Sequence, residues 1–226
     1  MILSIDTATK ICSVSIANAG QILTIQENTE GFSHASKLTT LIQKACEAAQ
    51  IQLTDLDAIA VSIGPGSYTG LRIGLSTVKG ICFALNKPLI AIDTLKALSV
   101  ASQSATDFEN ALYVPMIDAR RMEVYTVFYD KNDAIVEPKQ SFIIDENSFS
   151  KLLGQYDKIV LSGDGAEKCK ELLNSEQFHY TEIICSAKHL APLAFTAFQN
   201  KDFADLAYIE PTYFKPPNIT KPKSRL

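Results

Sequence analysis

The sequence predicts an α/β protein built from two similar lobes, and two observations carry that prediction. One order of elements occurs twice: a β-hairpin, a buried strand that runs into a glycine-bearing loop, a helix, and then another strand and helix. An aspartate also ends the first strand of each copy, Asp6 in one and Asp118 in the other. Hairpins supply antiparallel strand pairs and strand–helix–strand units supply parallel ones, so we expect a mixed sheet with helices in each lobe. The expected boundaries are residues 1–104 for the N-terminal lobe and 105–226 for the C-terminal lobe.

The elements of the N-terminal lobe follow from apolar periodicity. Alternating apolar residues predict a hairpin over residues 2–8 and 12–17, with a third strand at 21–26. An amphipathic helix is predicted over residues 34–49, because apolar residues recur there at helical spacing. The predicted elements that follow are a buried strand at 57–63, a helix at 71–85, a strand at 88–93 and a helix at 95–101, with Thr94 as its N-cap.

The C-terminal lobe repeats this order in a weaker form. A hairpin is predicted over residues 113–119 and 123–128, and a short helix near residues 148–153 is the expected counterpart of the helix at 34–49. The remaining predicted elements are a buried strand at 157–162, a helix at 166–173, a strand at 182–185 and a helix at 191–199. The alternative is the loose self-similarity that any α/β chain shows, but it does not account for matched order, strand-end aspartates and glycine-bearing loops together.

Composition excludes several classes of protein. The chain has 226 residues, 46% of them apolar, and a net charge of −4, so it can bury a large core and shows no basic groove for nucleic acid. Its one basic run, at 215–225, is interrupted by three prolines and is interpreted as a flexible end. The five cysteines form no CxxC pair, which indicates reduced, buried thiols. With no cationic leader and no apolar run of about 20 residues, we expect a cytoplasmic protein with no membrane partner.

The most specific motif lies between the first buried strand and the helix at 71–85. It reads Gly64-Pro65-Gly66-Ser67-Tyr68-Thr69-Gly70-Leu71-Arg72-Ile73-Gly74. Such a junction directs free backbone N–H groups outward at a helix N-terminus, where either an anion or a neighbouring segment can meet them. It does not fit a Walker A motif, because no Lys-Ser or Lys-Thr follows Gly70, and the spacing around Ser67 does not fit a nucleophile elbow.

Five segments together resemble the bacterial TsaB (YeaZ) family. They are the 64–74 motif and the shorter stretches Ile5-Asp6-Thr7-Ala8-Thr9, Ser13-Val14-Ser15-Ile16, Ile117-Asp118-Ala119-Arg120-Arg121-Met122-Glu123-Val124-Tyr125 and Glu210-Pro211-Thr212-Tyr213. The resemblance runs from residue 1 to about residue 215. The duplicated lobe with an aspartate at the end of each first strand also resembles the actin/hexokinase/Hsp70-type ATPase (RNase H-like) superfold.

The family resemblance implies a non-catalytic role in making N6-threonylcarbamoyladenosine in ANN-decoding tRNAs. Members are similar to the catalytic paralogue TsaD but lack its active site. They bind and support TsaD together with the ATPase TsaE, while TsaC-type enzymes supply threonylcarbamoyl-AMP. The resemblance therefore implies a heterodimer with a TsaD-like paralogue, a larger complex with a TsaE-like ATPase, a homodimer in their absence, and only indirect contact with tRNA. The competing hypothesis is a small-molecule kinase or ATPase of the same superfold.

The residues at the expected catalytic positions favour the non-catalytic alternative. The catalytic paralogue has an HxxxH metal pair on a helix, whereas here Leu38 stands one turn after His34, so no metal site is expected. The two loops that follow the strand-end aspartates contain no glycine to wrap a phosphate, so we expect no catalytic residue and no cofactor. Weak nucleotide contact is limited to Asp6, Thr7, Thr9, Lys10, Asp118 and Arg120; the alternative is that both aspartates only anchor hairpin turns. The loop at 162–166 fits either an adenine or close packing, and packing is favoured.

A partner surface is predicted on two helices of the N-terminal lobe. The helix at 71–85 carries Gly74, Ser76, Gly80 and Ala84, and glycine inside a helix costs about 1 kcal/mol relative to alanine. Another backbone therefore packs closely there, either that of the helix's own lobe or that of a partner. The predicted partner or dimer interface consists of Lys37, Leu38, Leu41, Ile42, Ala45, Leu71, Arg72, Gly74, Leu75 and Val78, and Gly74→Arg is predicted to block association without unfolding the chain.

Overall fold

Two five-stranded mixed sheets form the frame of the protein. The structure is a computed structural model that describes residues 1–31 and 34–215, so the prolines and basic residues predicted to form a flexible tail, Pro216, Pro217, Lys221, Pro222, Lys223 and Arg225, lie outside the described residues. The strands are β1 (Ile2–Asp6), β2 (Cys12–Asn18), β3 (Gln21–Asn28), β4 (Ala58–Gly64), β5 (Leu89–Asp93), β6 (Ala111–Asp118), β7 (Glu123–Tyr129), β8 (Ile135–Ile143), β9 (Lys158–Ser162) and β10 (Phe178–Tyr180). The α-helices are α1 (His34–Ala49), α2 (Tyr68–Leu85), α3 (Thr94–Ala105) and α4 (Ala191–Gln199).

The two sheets have the same strand order, which confirms the predicted fold class. The first sheet runs β3-β2-β1-β4-β5 and the second runs β8-β7-β6-β9-β10. In the first sheet β1 pairs antiparallel with β2 and parallel with β4, and in the second sheet β6 pairs in the same way with β7 and β9. Because β1 and β6 occupy equivalent central positions, Asp6 and Asp118 end equivalent strands.

Several predicted elements of the C-terminal half were wrong. The helix expected at 166–173 is reduced to one 3-10 turn, Glu167–Cys169, because its N-cap residue, Ala166, has no side chain that can accept a capping hydrogen bond. No helix forms at 148–153, where turns follow Asp145 and Gly154 has a φ of +85°. The last strand of the sheet is β10 rather than residues 182–185, and β8 was not predicted.

The start of α3 also differs from the prediction. Asp93, not Thr94, is the N-cap residue, because its carboxylate accepts a hydrogen bond from the Lys96 backbone N–H at 3.0 Å. The Thr94 hydroxyl oxygen instead accepts a hydrogen bond from the Gly64 backbone N–H at 3.1 Å. The two neighbouring side chains therefore perform different tasks, one ending β5 and starting α3 and the other fixing the end of β4.

The last helix of each half contacts the sheet of the other half. Helices α1 and α2 cover one face of the first sheet, while Leu190 and Ala194 of the C-terminal segment pack on its other face against Ile2, Ala58 and Ile90. Helix α3 contacts β6, β7 and β9 of the second sheet as well as β4 and β5 of the first. The two sheets are therefore joined by helices that cross between them. None of the helices within the described residues is both long and apolar enough to cross a membrane.

Candidate functional site

The carboxylate of Asp6 lies inside the protein and anchors the loop between β1 and β2. Its Oδ1 accepts hydrogen bonds from the Ala8 backbone N–H at 2.9 Å and from the Ser62 hydroxyl at 3.1 Å. Only 2% of Asp6 is exposed, and this burial raises the pKa of its carboxyl to about 6, with a smaller contribution from the nearby charge of Asp164. Asp6 therefore stabilises a turn, which is the simpler of the two roles expected from the sequence.

The rest of the first loop is mostly buried too. Thr7 is fully buried and Thr9 is 8% exposed, whereas Lys10 lies on the surface. The Nε2 of His34 lies 2.8 Å from the Thr9 carbonyl oxygen, so this imidazole binds the loop from the start of α1. Across residues 1–31 and 34–215, no group of three or more His, Cys, Asp or Glu side chains is placed to hold a metal ion.

The equivalent loop of the second sheet is exposed but internally paired. Asp118 forms an ion pair with Lys168, and its Oδ1 also accepts a hydrogen bond from the Arg120 backbone N–H at 2.9 Å. The backbone N–H of Asp118 donates to Oδ1 of Asp164 at 3.1 Å, and burial raises the pKa of the Asp164 carboxyl. Arg120 is exposed at the tip of the hairpin with a φ of 72°. The aspartates of both loops are thus already engaged within the chain.

Apolar side chains fill the space where the two sheets meet. Ala8 and Leu71 from the first half pack in one buried cluster with Ile117, Val127 and Tyr129 from the second half. Each of these side chains is 6% exposed or less. Residues of the two halves therefore share one buried hydrophobic cluster where the sheets meet.

Close packing explains the glycines of the loop after β9. Gly163 has a φ of +89°, and a Cβ atom there would overlap the carbonyl oxygen of Met116. A Cβ atom at Gly165 would lie 3.0 Å from Cγ1 of Val124. A cavity of about 350 Å³ opens beside this loop, between Asp164, Lys170 and neighbouring residues.

The 64–74 motif likewise forms hydrogen bonds and close contacts within the chain. Ser67 caps α2 by accepting a hydrogen bond from the Gly70 backbone N–H at 3.1 Å, and its own backbone N–H donates to the Ala8 carbonyl at 2.6 Å. A Cβ atom at Gly70 would overlap the carbonyl oxygen of Thr7, and one at Gly74 would overlap Oγ1 of the same threonine. Glycines 70 and 74 therefore let α2 approach the first loop, and Gly74→Arg would disturb the fold instead of a surface.

Most of the predicted interface residues lie in the core of the subunit. Eight of them lie on the buried faces of α1 and α2: Leu38, Leu41, Ile42, Ala45, Leu71, Gly74, Leu75 and Val78. Lys37 and Arg72 are exposed. Apolar periodicity had located the inward faces of the two helices, so any contact surface on them is formed by the opposite faces.

The outward face of α2 is a stripe of small residues that ends in an aromatic ring. Ser76, Gly80 and Ala84 follow one another at intervals of four residues and are all exposed. A Cβ atom at Gly80 would meet no atom within 4 Å, and the side chain of Phe83 is 82% exposed. A groove of about 470 Å³ separates this face from the start of α1, and its lining residues are Ala35, Tyr68, Thr69, Arg72, Ile73, Ser76 and Thr77.

Comparisons with known proteins place the chain in a family. A family model described as "TsaD: tRNA N6-adenosine threonylcarbamoyltransferase" matches residues 31–222. A tRNA threonylcarbamoyladenosine biosynthesis protein TsaB from Buchnera aphidicola (subsp. Schizaphis graminum) is 30% identical over 200 residues, which are 87% of this chain and 93% of that protein. The chain belongs to the TsaB (YeaZ) family. The TsaB of Escherichia coli K12 is 27% identical over 95% of this chain and 94% of its own length.

Solved structures confirm the fold of this TsaB-family chain. YeaZ from Pseudomonas aeruginosa superposes with a TM-score of 0.79 at 24% identity, covering 94% of this chain and 99% of that one. The activator of 2-hydroxyisocaproyl-CoA dehydratase from Clostridium difficile, solved with bound ADPNP, superposes with a TM-score of 0.51 at 10% identity, covering 88% and 95%. The chain therefore has the two-lobed actin/hexokinase-type α/β fold, as the sequence predicted.

One surface feature of this TsaB-family member was missed at the level of sequence. The exposed stripe Ser76, Gly80 and Ala84 was noticed only as a set of small residues that included the buried Gly74. The sequence contained a signal that distinguishes the exposed small residues from Gly74. Residues 76, 80 and 84 lie at positions i, i+4 and i+8, away from the buried Leu71, Leu75 and Val78.

Proposed function

We propose that this chain is a non-catalytic subunit required for N6-threonylcarbamoyladenosine modification of ANN-decoding tRNAs. It would bind and support a TsaD-type transferase, together with a TsaE-type ATPase, and would meet tRNA only through them. The observation that carries this proposal is that both strand-end aspartates are engaged within the chain, Asp6 with the Ala8 backbone N–H and Asp118 with Lys168.

The competing function, a small-molecule kinase or ATPase, has less support. Such an enzyme needs carboxylates that are free to hold a metal–nucleotide complex. Here Asp6 is buried and accepts two internal hydrogen bonds, while Asp118 is paired with Lys168. We therefore assign no catalytic residue to the chain itself.

The proposed partner surface is the outward face of α1 and α2 in residues 1–104. Helix α2 contributes Arg72, Ser76 and Gly80, and α1 contributes Lys37 and Lys44, all of them exposed. Small residues at intervals of four allow two helix backbones to approach closely. The same face would support a homodimer when the transferase is absent, with the contact repeated about a two-fold axis.

Reconstitution of tRNA modification tests the proposed function directly. The transferase paralogue, the ATPase and the threonylcarbamoyl-AMP-forming enzyme of the same genome are combined with tRNA, with and without this chain. We expect modification to require the chain, and the purified chain alone to turn over no ATP above the level of its Asp6→Asn variant. Equal modification without the chain would reject the subunit role, and Mg²⁺-dependent ATP hydrolysis that Asp6→Asn abolishes would favour the kinase or ATPase alternative.

A matched pair of arginine substitutions tests the surface. Gly80→Arg adds bulk and charge to the stripe where there is open space, and arginine favours a helix more than glycine does, so the subunit should stay folded. Ser104→Arg makes a similar change at an exposed position near the end of α3. We expect only Gly80→Arg to abolish binding to the transferase in analytical ultracentrifugation, with native circular dichroism for both variants. Wild-type binding by Gly80→Arg would exclude this face.

A further inference from the structure

The guanidinium of Arg72 stacks on the ring of Tyr68, which itself packs against the ring of Tyr213, at the edge of the groove between α1 and α2. Its central carbon lies 3.9 Å from the ring centroid of Tyr68 and 5.6 Å from that of Tyr213. The two rings are 4.7 Å apart, and the Tyr213 hydroxyl donates a hydrogen bond to the Tyr68 carbonyl at 3.3 Å. Stacking on aromatic faces restricts the plane of a guanidinium while leaving much of its N–H edge available.

The charge of Arg72 is not neutralised by a carboxylate. Within residues 1–31 and 34–215, the ion pairs of the protein do not include Arg72, although the residue is exposed and lines the groove. Arg72 also hydrogen-bonds to the side chain of Tyr213, and the remaining N–H groups of its planar guanidinium are suited to hydrogen bonds with a carboxylate or phosphate group. The geometry therefore describes a recognition group whose ligand lies outside the subunit.

The surroundings of Arg72 favour a carboxylate on a protein helix. The groove beside it is lined by Ala35, Ser76 and Thr77, whose small side chains admit another helix. The exposed face of α1 adds Lys37 and Lys44, and its one nearby acid, Glu47, already accepts a hydrogen bond from Gln43 at 2.8 Å. A second copy would bring the same cations against this face, so the homodimer contact is the weaker of the two and charge complementarity favours a different partner with an acidic helix.

The Tyr213 ring comes from a segment remote in sequence, residues 210–215. This segment is attached to the first sheet by the Thr212 backbone N–H, which donates to the Ile63 carbonyl at 2.7 Å. It is attached to the second sheet by Phe214, whose ring lies 5.6 Å from that of Tyr125, and by Lys215, whose Nζ lies 2.5 Å from the Glu123 carboxylate. Contacts of its neighbours with both sheets therefore fix the position of Tyr213 beside Arg72.

We infer that Arg72 is the residue that determines specificity in the groove, where it binds a carboxylate on a partner helix, and that Tyr213 is its positioning residue. The inference rests on the proposed function, because the partner is taken to be the TsaD-type transferase. It goes further in naming the chemical group recognised and in giving the segment 210–215 a part in the interface.

Four variants test the inference by isothermal titration calorimetry with the transferase paralogue of the same genome. Arg72→Ala should weaken binding at least about tenfold and reduce its salt dependence, because it removes a charged hydrogen-bonding partner. Arg72→Lys should also weaken binding, since an ammonium keeps the charge but not the planar fork. Tyr213→Ala should weaken binding about three- to tenfold by removing both the ring and the side-chain hydrogen bond to Arg72, while Tyr213→Phe retains the ring, loses only the hydroxyl and should weaken binding less.

A readout on the free subunit separates positioning from general structural damage. In NMR spectra, ring currents of Tyr68 and Tyr213 should shift the Arg72 Nε–H resonance. Tyr213→Ala should move this resonance further than Tyr213→Phe, which keeps the ring, with native circular dichroism for both. An unmoved resonance in Tyr213→Ala would overturn the positioning role.

The binding outcomes distinguish this inference from the proposed function. If the wild type binds the transferase and Arg72→Ala binds equally well, the inference is rejected while the subunit role stands. If the wild type does not bind the transferase at all, both are rejected. Loss of self-association alone in Arg72→Ala would identify a second copy as the occupant, and loss of tRNA binding alone would identify a phosphate group; either result overturns the inference.

Discussion

Replacing Asp6 by asparagine should stabilise the folded protein at neutral and alkaline pH. Burial raises the pKa of this carboxyl from its ordinary 3.8 to about 6. A shift of about two units corresponds to about 3 kcal/mol, which is the cost of keeping the carboxylate ionised inside the protein. Asparagine removes the charge and retains an oxygen in the place of Oδ1, which accepts the hydrogen bonds from the Ala8 backbone N–H and the Ser62 hydroxyl.

The sign of the pH dependence follows from the direction of the shift. Because the pKa is higher in the folded state, the folded protein holds a proton that the unfolded chain has lost between pH 3.8 and about 6. The stability of the wild type should therefore fall as pH rises through that interval and level off above it. The gain from Asp6→Asn should accordingly be near zero at pH 4 and reach up to about 3 kcal/mol at pH 8.

Urea unfolding followed by circular dichroism at pH 4 and pH 8 measures this difference, and the chain contains no tryptophan whose fluorescence could replace it. Asp118→Asn is the matched control at the equivalent strand end. It removes an exposed ion pair with Lys168, so its effect should stay within about 1 kcal/mol and should not be a gain. An Asp6→Asn variant that is no more stable than the wild type at pH 8, or that gains equally at both pH values, would refute the reasoning.

Three further predictions concern stability and reactivity. Gly70→Ala should destabilise the fold, because its Cβ would overlap the Thr7 carbonyl, whereas Gly80→Ala in open space should stabilise it by about 1 kcal/mol; unfolding free energies of opposite sign check the pair. Ser67→Ala should cost about 1 kcal/mol by removing the N-cap of α2, and a loss below the error of urea titration would contradict that role. Burial raises the pKa of the Cys12 and Cys82 thiols to about 11, so neither should react with a thiol reagent at pH 8 until urea unfolds the chain, and rapid labelling of the native protein would be the contrary result.

The strands and helices of the first sheet could be predicted because their patterns are strong. The apolar run at 57–63 became β4, and the periodic segment at 71–85 became α2, which begins three residues earlier because Ser67 caps it. Strand β8 escaped prediction for a physical reason. It is an edge strand whose residues are exposed or half-buried, and it contains Pro138 between two charged residues, so it shows no alternation of apolar and polar side chains.

The candidate site was only partly predictable. The strand-end position of Asp6 follows from the sequence, but its burial depends on the packing of the second lobe against the first, which no local pattern encodes. The apolar positions of α1 and α2 marked the faces that the subunit uses for its own core, so a hydrophobic pattern could not locate the partner surface that we propose around Arg72, Ser76 and Gly80. Tyr213 reaches Arg72 from 141 positions away in sequence, and such a contact appears only in three dimensions.

The contact of each last helix with the sheet of the other half has a consequence during synthesis on the ribosome. One face of the first sheet, formed by Ile2, Ala58 and Ile90, is covered by Leu190 and Ala194. About 100 residues separate the end of that sheet from its cover, which at bacterial translation speeds is a delay of roughly 5 to 20 seconds. During this interval only α3 can cover part of that face, because it contacts β4 and β5 and contributes Ala97 to the same cluster, so the first half is expected to reach its full stability only when the last helix emerges.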